Sequence, residues 1–333
     1  MKINTFKAIV VSEAHNGKFD INIVNKNFNE IEDSNIIINV KYSSLNYKDA
    51  LSSQGNRGVT RKFPHTPGID AAGVIVKSNY PDFKIGDKVL ITGYDFGMNT
   101  SGGYSQYISV PKEWILKLPD NFSLRDSMIY GTAGLTAGLS VYQLIKSGIT
   151  PDLGNILVTG STGGVGSLAI TILNSLGYTV TALTGKKETR DFLLKLGANE
   201  VIYREDFNIN SEKPLLKEIY SGVIDTVGGE TLSNAIKSTK YGGIVTCCGN
   251  VSSHKLSSSI YPFILRGVSL IGIDSVQCST DLRKEIWNKL SKEWKNSSIE
   301  NLVQEISMEE LVISLKNFLF EDHTGRKIVN LDK

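Results

Sequence analysis

One stretch of this chain constrains its fold more than any other, the run VTGSTGGVGSLAI at residues 158–170. A short apolar segment, Ile156–Thr159, leads into it. Val165, Leu168, Ala169, Ile172, Leu173 and Leu176 then recur at helical spacing, and Gly177 ends the helix. A strand passing through a glycine-rich turn into a helix is the geometry that receives a pyrophosphate. Gly160 lets the chain turn sharply. Gly163 and Gly164 let backbone N–H groups approach phosphate oxygens, and Gly166 lets the helix lie close to the sheet. Ser161, Thr162 and Val165 belong to the same candidate cradle. The spacing is one residue longer than GxGxxG, so the motif draws its weight from the strand and helix around it.

The alternation continues beyond the turn. Tyr178–Leu183 reads as a second strand, Lys187–Leu196 as a helix ending at Gly197, and Glu200–Tyr203 as a third strand. Val223–Val227, Ile244–Cys248 and Val268–Ile273 add three more, separated by Glu230–Lys240 and by a less regular stretch. Six strands in this order predict a doubly wound dinucleotide-binding domain over residues 123–278. Residues 1–122 have another rhythm. Ile36–Val40, Gly73–Val76, Lys88–Thr92 and Tyr107–Val110 are short runs bounded by turn residues, which predicts an antiparallel, barrel-like domain with long loops such as Ser43–Pro67. The tail, 279–333, holds one helix, a polar segment and a short strand, Lys327–Asn330. It is too short for a domain and is expected to complete the first one.

Charge narrows the ligand. The 36 Lys and Arg residues nearly balance 34 Asp and Glu, so no basic excess suggests a nucleic-acid partner, and an anionic ligand must be held by a few local groups. An NAD site normally ends its second strand in an acid that binds the ribose hydroxyls. Here that strand ends Leu183-Thr184-Gly185-Lys186, followed by Lys187 and Arg190, with Arg204 after strand three. No acid stands there to repel a 2′-phosphate, so NADPH is the expected cofactor. Three cysteines, two of them adjacent, make neither a disulfide framework nor a CxxC zinc site, and no run approaches the roughly 18 apolar residues of a membrane span. A cytoplasmic, reducing compartment and no membrane partner are expected. Cys247 and Cys248 end a strand and read as core thiols, His65 as a loop histidine.

With these motifs in place, the chain resembles the medium-chain dehydrogenase/reductase superfamily in its zinc-free, quinone-oxidoreductase-like branch. SSLNYKD (43–49), FPHTPGIDAAG (63–73), FKIGDKV (83–89), GTAGLTA (131–137), TGSTGGVGS (159–167), GVIDTVGG (222–229) and FILRGVSLIGIDSV (263–276) fall in that family's order. Together they are similar to its acryloyl-CoA reductase group. The resemblance implies an α/β fold: a GroES-like β-barrel catalytic domain beside a Rossmann domain with a six-stranded parallel sheet. Zinc alcohol dehydrogenases carry a ligand Cys near the place of Asn46-Tyr47, and Gly-His-Glu where this chain has Gly68-Ile69-Asp70. No metal site is expected.

The reaction so implied is reduction of an activated double bond in a small 2-enoyl-CoA thioester, acryloyl-CoA to propanoyl-CoA, with quinone or enone reduction as the alternative. A non-catalytic NADPH-binding protein is the alternative of another class. The resemblance places Tyr47 beside the nicotinamide as an orienting or proton-donating group, Asn46 as a donor to the thioester oxygen, and Asp70 as the residue that fixes their loop. It places Thr136, Thr184, Gly185, Lys186, Arg204, Ile264, Ser275 and Asn330 on the cofactor. Arg57, Arg61 and Lys62 form a small basic loop, read first as simply solvated and otherwise as a site for CoA phosphates. An apolar edge strand at 268–273 is normally covered or paired, and the resemblance implies that it pairs edge to edge in a homodimer.

Overall fold

The computed structural model describes residues 4–15, 17–31, 36–209 and 212–333. The chain divides into two compact units, residues 1–132 with 303–333 and residues 133–302.

In the first unit, β1 (Thr5–Glu13) and β2 (Phe19–Asn27) form a separate hairpin. Then come β3 (Ile36–Ser44), the short helix α1 (Tyr47–Ser53), β4 (Asp70–Lys77), β5 (Lys88–Thr92), β6 (Tyr107–Val110) and β7 (Leu116–Lys117). β3, β4, β5 and β7 pair in sequence, and β6 joins the other side of β3, all antiparallel. Alternate residues such as Ile36, Ile38 and Val40 on β3 and Val89 and Ile91 on β5 are buried, so one face of the sheet supplies the core, closed by Phe96, Tyr104 and Ile108. The predicted loop 43–67 is partly helical, because Asn46 and Asp49 form a reciprocal capping box that starts α1 at Tyr47.

The helix α2 (Leu124–Lys146) carries the division between units and is interrupted at Gly131, whose φ of 52° and ψ of −152° are non-helical. A Cβ there would lie 2.4 Å from Asp70 Oδ2 and 2.9 Å from Arg326 Nη2, so only glycine fits.

The second unit runs β8 (Asn155–Thr159), α3 (Gly164–Ser175), β9 (Val180–Thr184), α4 (Arg190–Lys195), β10 (Glu200–Tyr203), α5 (Arg204–Phe207), β11 (Tyr220–Asp225), α6 (Gly229–Lys237), β12 (Thr239–Cys247), α7 (Tyr261–Arg266), β13 (Ser269–Gly272) and α8 (Thr280–Ser291). All six strands are parallel in the order β10-β9-β8-β11-β12-β13, as the alternation predicted. The order reverses between β8 and β11. The central strands are buried on both faces: Ile156, Leu157, Val158, Val223, Ile224 and Val245 have almost no exposure.

After α8 and a 3₁₀ turn the chain rejoins the first unit as β14 (Val303–Ile306), α9 (Met308–Asn317) and β15 (Arg326–Asn330). β15 pairs with β3, and β14 extends the sheet parallel to β15. Two expectations need correction. The segment read as polar and irregular contains α9, whose Met308, Leu311 and Leu315 face the core at helical spacing. Residues 279–302, expected with the first unit, belong to the second. The reason is packing: Ile286, Trp287, Leu290 and Trp294 are buried, a Cβ on Gly138 would meet Ile286 at 2.6 Å, and Asn296 Nδ2 donates to the Thr171 carbonyl at 3.3 Å. Each such large apolar side chain contributes roughly 1.5–3 kcal/mol when fully buried. Among the described residues no helix is long and apolar enough to cross a membrane.

Candidate functional site

In the first unit the candidate residues Asn46, Tyr47 and Asp70 converge on the junction of β3, α1 and β4. Asp70 has no exposure, and its carboxylate is surrounded by donors. Oδ2 accepts from Ser44 Oγ at 2.5 Å and Asn46 Nδ2 at 2.8 Å, while Oδ1 accepts from Thr132 Oγ1 at 2.5 Å. The Thr132 backbone N–H donates to both oxygens at 3.0 Å. The break at Gly131 is what turns that N–H toward the carboxylate. Arg326, at the start of β15, lies 3.9 Å away through Nη2. Its other nitrogens donate to the carbonyls of Ile129 (3.0 Å) and Leu45 (3.3 Å) and to Asn46 Oδ1 (3.0 Å).

These bonds revise the expectation for Asn46. Its amide oxygen accepts from a guanidinium and its amide nitrogen faces Asp70 and Ser44, so its two N–H donors are taken up inside the protein. The expectation had one of those N–H groups donating to a thioester oxygen instead. Asp70, without exposure, is likewise engaged by internal donors. Tyr47 is different: as the first residue of α1, rather than on a loop, it is 40% exposed.

Sequence reasoning missed Arg326 and Asp49. An arginine in a polar tail looks solvated, and its burial depends on the pairing of β15 with β3 across most of the chain length. Asp49 is fully buried. Its Oδ2 accepts from the Asn46 N–H at 2.9 Å, and its Oδ1 accepts from the N–H groups of Gly68 (3.1 Å) and Ile69 (2.9 Å). It thereby ties the start of α1 to the loop that leads into β4. The NYKD motif held the clue, since an acid three residues after Asn46 fits a capping box.

The same junction offers poor ground for a metal ion. The Asp70 oxygens already accept from four donors, a guanidinium stands opposite, and the Asn46 oxygen accepts from that guanidinium. Among the described residues no three His, Cys, Asp or Glu side chains group as metal ligands. His65 is a buried loop histidine, its Nε2 3.0 Å from the Gly97 carbonyl and its pKa lowered by burial.

In the second unit the glycine turn has the expected form. Gly160 adopts φ +56°, and a Cβ there would meet Thr226 Oγ1 at 2.2 Å. A Cβ on Gly166 would meet the Gly160 carbonyl at 2.5 Å, which is the close approach of helix to turn. Ser161 is buried and turns its hydroxyl inward to the Val158 carbonyl at 2.7 Å; Thr162 is buried beside it. The first bond of α3 is Ser167 N to Gly163 O at 2.9 Å, so the N–H groups of Gly164, Val165 and Gly166 precede the intrahelical ladder. The cradle therefore fits a pyrophosphate.

At the end of β9, Thr184 Oγ1 accepts from the Lys186 N–H at 3.0 Å, and the exposed Arg204 guanidinium reaches Gly185, where a Cβ would lie 3.0 Å from Nη2. Lys187 is paired with Glu205. Thr136 is buried on α2, Ile264 stands exposed on α7, and Ser275 is half-buried after β13. Asn330 belongs to the first unit and donates from Nδ2 to Glu305 Oε1 at 2.9 Å. In the basic loop, Arg57 is held by Glu13 and by the Arg61 carbonyl, which makes it a loop brace. Cys247 and Cys248, expected as core thiols, are only partly buried, and the Cys248 pKa is pushed up to about 12, chiefly by burial.

Two family models match the chain: an alcohol dehydrogenase GroES-like domain over residues 32–120 and a zinc-binding dehydrogenase model over residues 164–292. The acrylyl-CoA reductase AcuI of Ruegeria pomeroyi is 37% identical over 328 residues, covering 98% of this chain and 99% of that protein. The protein YhfP of Bacillus subtilis, which bears a quinone oxidoreductase name, is 45% identical over 297 residues, covering 89% of this chain and 90% of that one. The YhdH oxidoreductase of Salmonella enterica, solved in complex with NADP, superposes with a TM-score of 0.94 at 37% identity, covering 98% and 99% of the two chains. YhfP itself was solved with NAD bound and superposes with a TM-score of 0.96 at 41% identity over 99% of this chain.

Burial raises the Asp49 carboxyl from its ordinary 3.8 to about 7, reinforced by the nearby Asp70 charge and opposed by the hydrogen bonds from Asn46, Tyr104 and Ile69. A carboxyl with a raised pKa binds its proton more tightly in the folded state. Its contribution to stability is therefore full below about pH 4 and is lost as pH rises to about 7. Asp49→Asn should flatten that part of the profile in chemical denaturation between pH 4 and 8. A slope identical to that of the unmodified protein would show that Asp49 ionises without penalty.

Proposed function

The chain belongs to the medium-chain dehydrogenase/reductase superfamily, and from that premise we propose that it is an NADPH-dependent reductase of the activated double bond in a small 2-enoyl-CoA thioester, converting acryloyl-CoA to propanoyl-CoA. The observation that carries this reading is the junction around Asp70. Where zinc relatives need metal ligands, this chain has a carboxylate fully engaged with hydroxyl and amide donors and faced by Arg326. Such a junction suits a double-bond reduction that needs no Lewis acid. The likeness to an acrylyl-CoA reductase along nearly the whole chain supports the thioester.

The nicotinamide, when bound, supplies a hydride to the β-carbon of the acceptor. The chain has to hold the dinucleotide, orient the acceptor and return a proton to the α-carbon. The N–H groups that open α3, with the glycines of residues 160–166, hold the pyrophosphate at the positive end of the helix. Thr184, Gly185, Lys186 and Arg204 take the adenosine 2′-phosphate, while Thr136, Ile264, Ser275 and Asn330 complete the cofactor set. Tyr47, exposed and fixed at the N-terminus of a capped helix, orients the acceptor or donates the proton. Asn46, Asp70, Asp49 and Arg326 hold Tyr47 in place.

The enzyme works as a homodimer joined through β13, an edge strand whose Leu270 and Ile271 remain half-exposed. Light scattering coupled to size exclusion should give twice the mass of the 333-residue chain, and a monomeric mass at micromolar concentration would remove the dimer.

NADPH oxidation followed with acryloyl-CoA, free acrylate, simple enones and 1,4-benzoquinone tests the substrate. Turnover fastest with acryloyl-CoA is expected, and lower in Tyr47→Phe with the affinity for NADPH kept. Turnover with quinones or enones alone would replace the thioester by the acceptor class of YhfP's name. Full turnover in Tyr47→Phe would give the tyrosine a packing role. Lys186→Ala combined with Arg204→Ala should raise the KM for NADPH tenfold or more over that for NADH, since charge-assisted hydrogen bonds contribute about 1.5–3 kcal/mol each. Equal increases for both cofactors would move the 2′-phosphate elsewhere.

A further inference from the structure

The segment GVIDTVGG, residues 222–229, is a family motif to which no role has yet been attached. β11 ends within it at Asp225, beside the reversal of strand order where α/β sheets open a crevice. The Asp225 side chain has no exposure, and its two oxygens serve different parts of the fold. Oδ1 accepts from the hydroxyl of Thr159 at 2.7 Å, the last residue of β8 and the one before Gly160. Oδ2 accepts from the N–H of Gly228 at 2.8 Å, the residue that opens α6. Thr226 adds two more bonds: its N–H donates to Thr159 Oγ1 and its own hydroxyl donates to the Thr159 carbonyl, both at 3.0 Å.

The same corner also holds the loop after β12. The Asp225 carbonyl accepts from the Cys248 N–H at 3.0 Å, and the Val227 carbonyl accepts from Ser252 N at 2.9 Å. Both loops are pressed against Thr226. A Cβ on Gly160 would come within 2.2 Å of its hydroxyl, and one on Gly249 within 2.0 Å of its carbonyl oxygen. Burial raises the pKa of the Asp225 carboxyl, and the bonds from Thr159, Gly228 and Val227 oppose that rise. An apolar residue in its place would leave those donors unpaired, and an amide would turn a donor toward one of them.

We propose that Asp225 and Thr226 are positioning residues that lock the glycine turn after β8 to the loop after β12, and so hold the pyrophosphate cradle in the conformation that receives the dinucleotide. The proposal rests on the dinucleotide-binding reading above. It assigns neither residue a contact with the reacting atoms.

The test compares two ligands by equilibrium titration: NADPH, followed by its fluorescence, and adenosine 2′,5′-bisphosphate, which carries only the adenosine end. Asp225→Asn should weaken NADPH roughly tenfold, as expected for one hydrogen bond to a charged group, and change the bisphosphate less than twofold. Thr226→Val should do the same, and Thr226→Ser should restore most of the lost affinity. A lower thermal midpoint with NADPH affinity unchanged would make the corner purely structural and overturn the proposal, and so would equal weakening of both ligands. Should Asp225→Asn fail to fold, the two Thr226 variants decide alone. An unmodified protein that binds neither ligand would remove the dinucleotide reading itself.

Discussion

The carboxylate of Asp70 lies at the start of β4 with no exposure, and the first unit is arranged around satisfying it. Three chain segments far apart in sequence send a group there: Ser44 and Asn46 from the end of β3 and the residues just after it, Thr132 from the break in α2, and Arg326 from β15. A buried carboxylate costs several kcal/mol in lost solvation, and removing one partner of such a set typically costs about 3–5 kcal/mol. What the network contributes is uniqueness. Gly131 must break the helix at that residue, because a side chain would collide with the carboxylate, and β15 must pair with β3 in one register to bring Arg326 alongside. Tyr47 inherits its place from this arrangement, through Asn46 on one side and Asp49 on the other.

The second unit solves a related problem with different means. Its phosphate cradle is made of backbone, so it needs glycines where chain segments come close, and it needs polar side chains to keep those segments in register. Gly160, Gly166 and Gly249 meet the first need, and Thr159, Asp225 and Thr226 meet the second. Both units thus place a buried aspartate at a strand end and let it accept from hydroxyl and backbone donors of neighbouring segments. In each case the carboxylate organises loops that carry candidate functional groups, and it is itself shielded from solvent.

Local pattern made much of this legible. The six parallel strands came from apolar runs alternating with helical ones, and four of the antiparallel strands from short bounded runs; Lys88–Thr92, Tyr107–Val110 and Glu200–Tyr203 have the bounds read from the sequence, while β3 and β4 extend beyond theirs. The glycine turn and the cations after β9 and β10 lie close together in sequence, so their geometry follows from strand, turn and helix alone. The hairpin of β1 and β2 was missed because Phe19–Asn27 mixes apolar and polar residues with little contrast. The helix α9 was missed because its core face carries only Met308, Leu311, Ser314 and Leu315 among charged neighbours.

What the sequence by itself determined is the topology of the nucleotide-type sheet, the kind of phosphate cradle it carries and the family to which those motifs point. The cause is that each of these rests on residues within one turn or one strand of each other. Tertiary structure alone decided the rest. It turned the amide of Asn46, expected as a donor to substrate, toward partners inside the protein, drew Arg326 out of the tail into the core and assigned residues 279–302 to the second unit. In each instance the deciding contacts join residues far apart in the chain, and the burial that makes a charge or an amide look inward exists only once those segments have met.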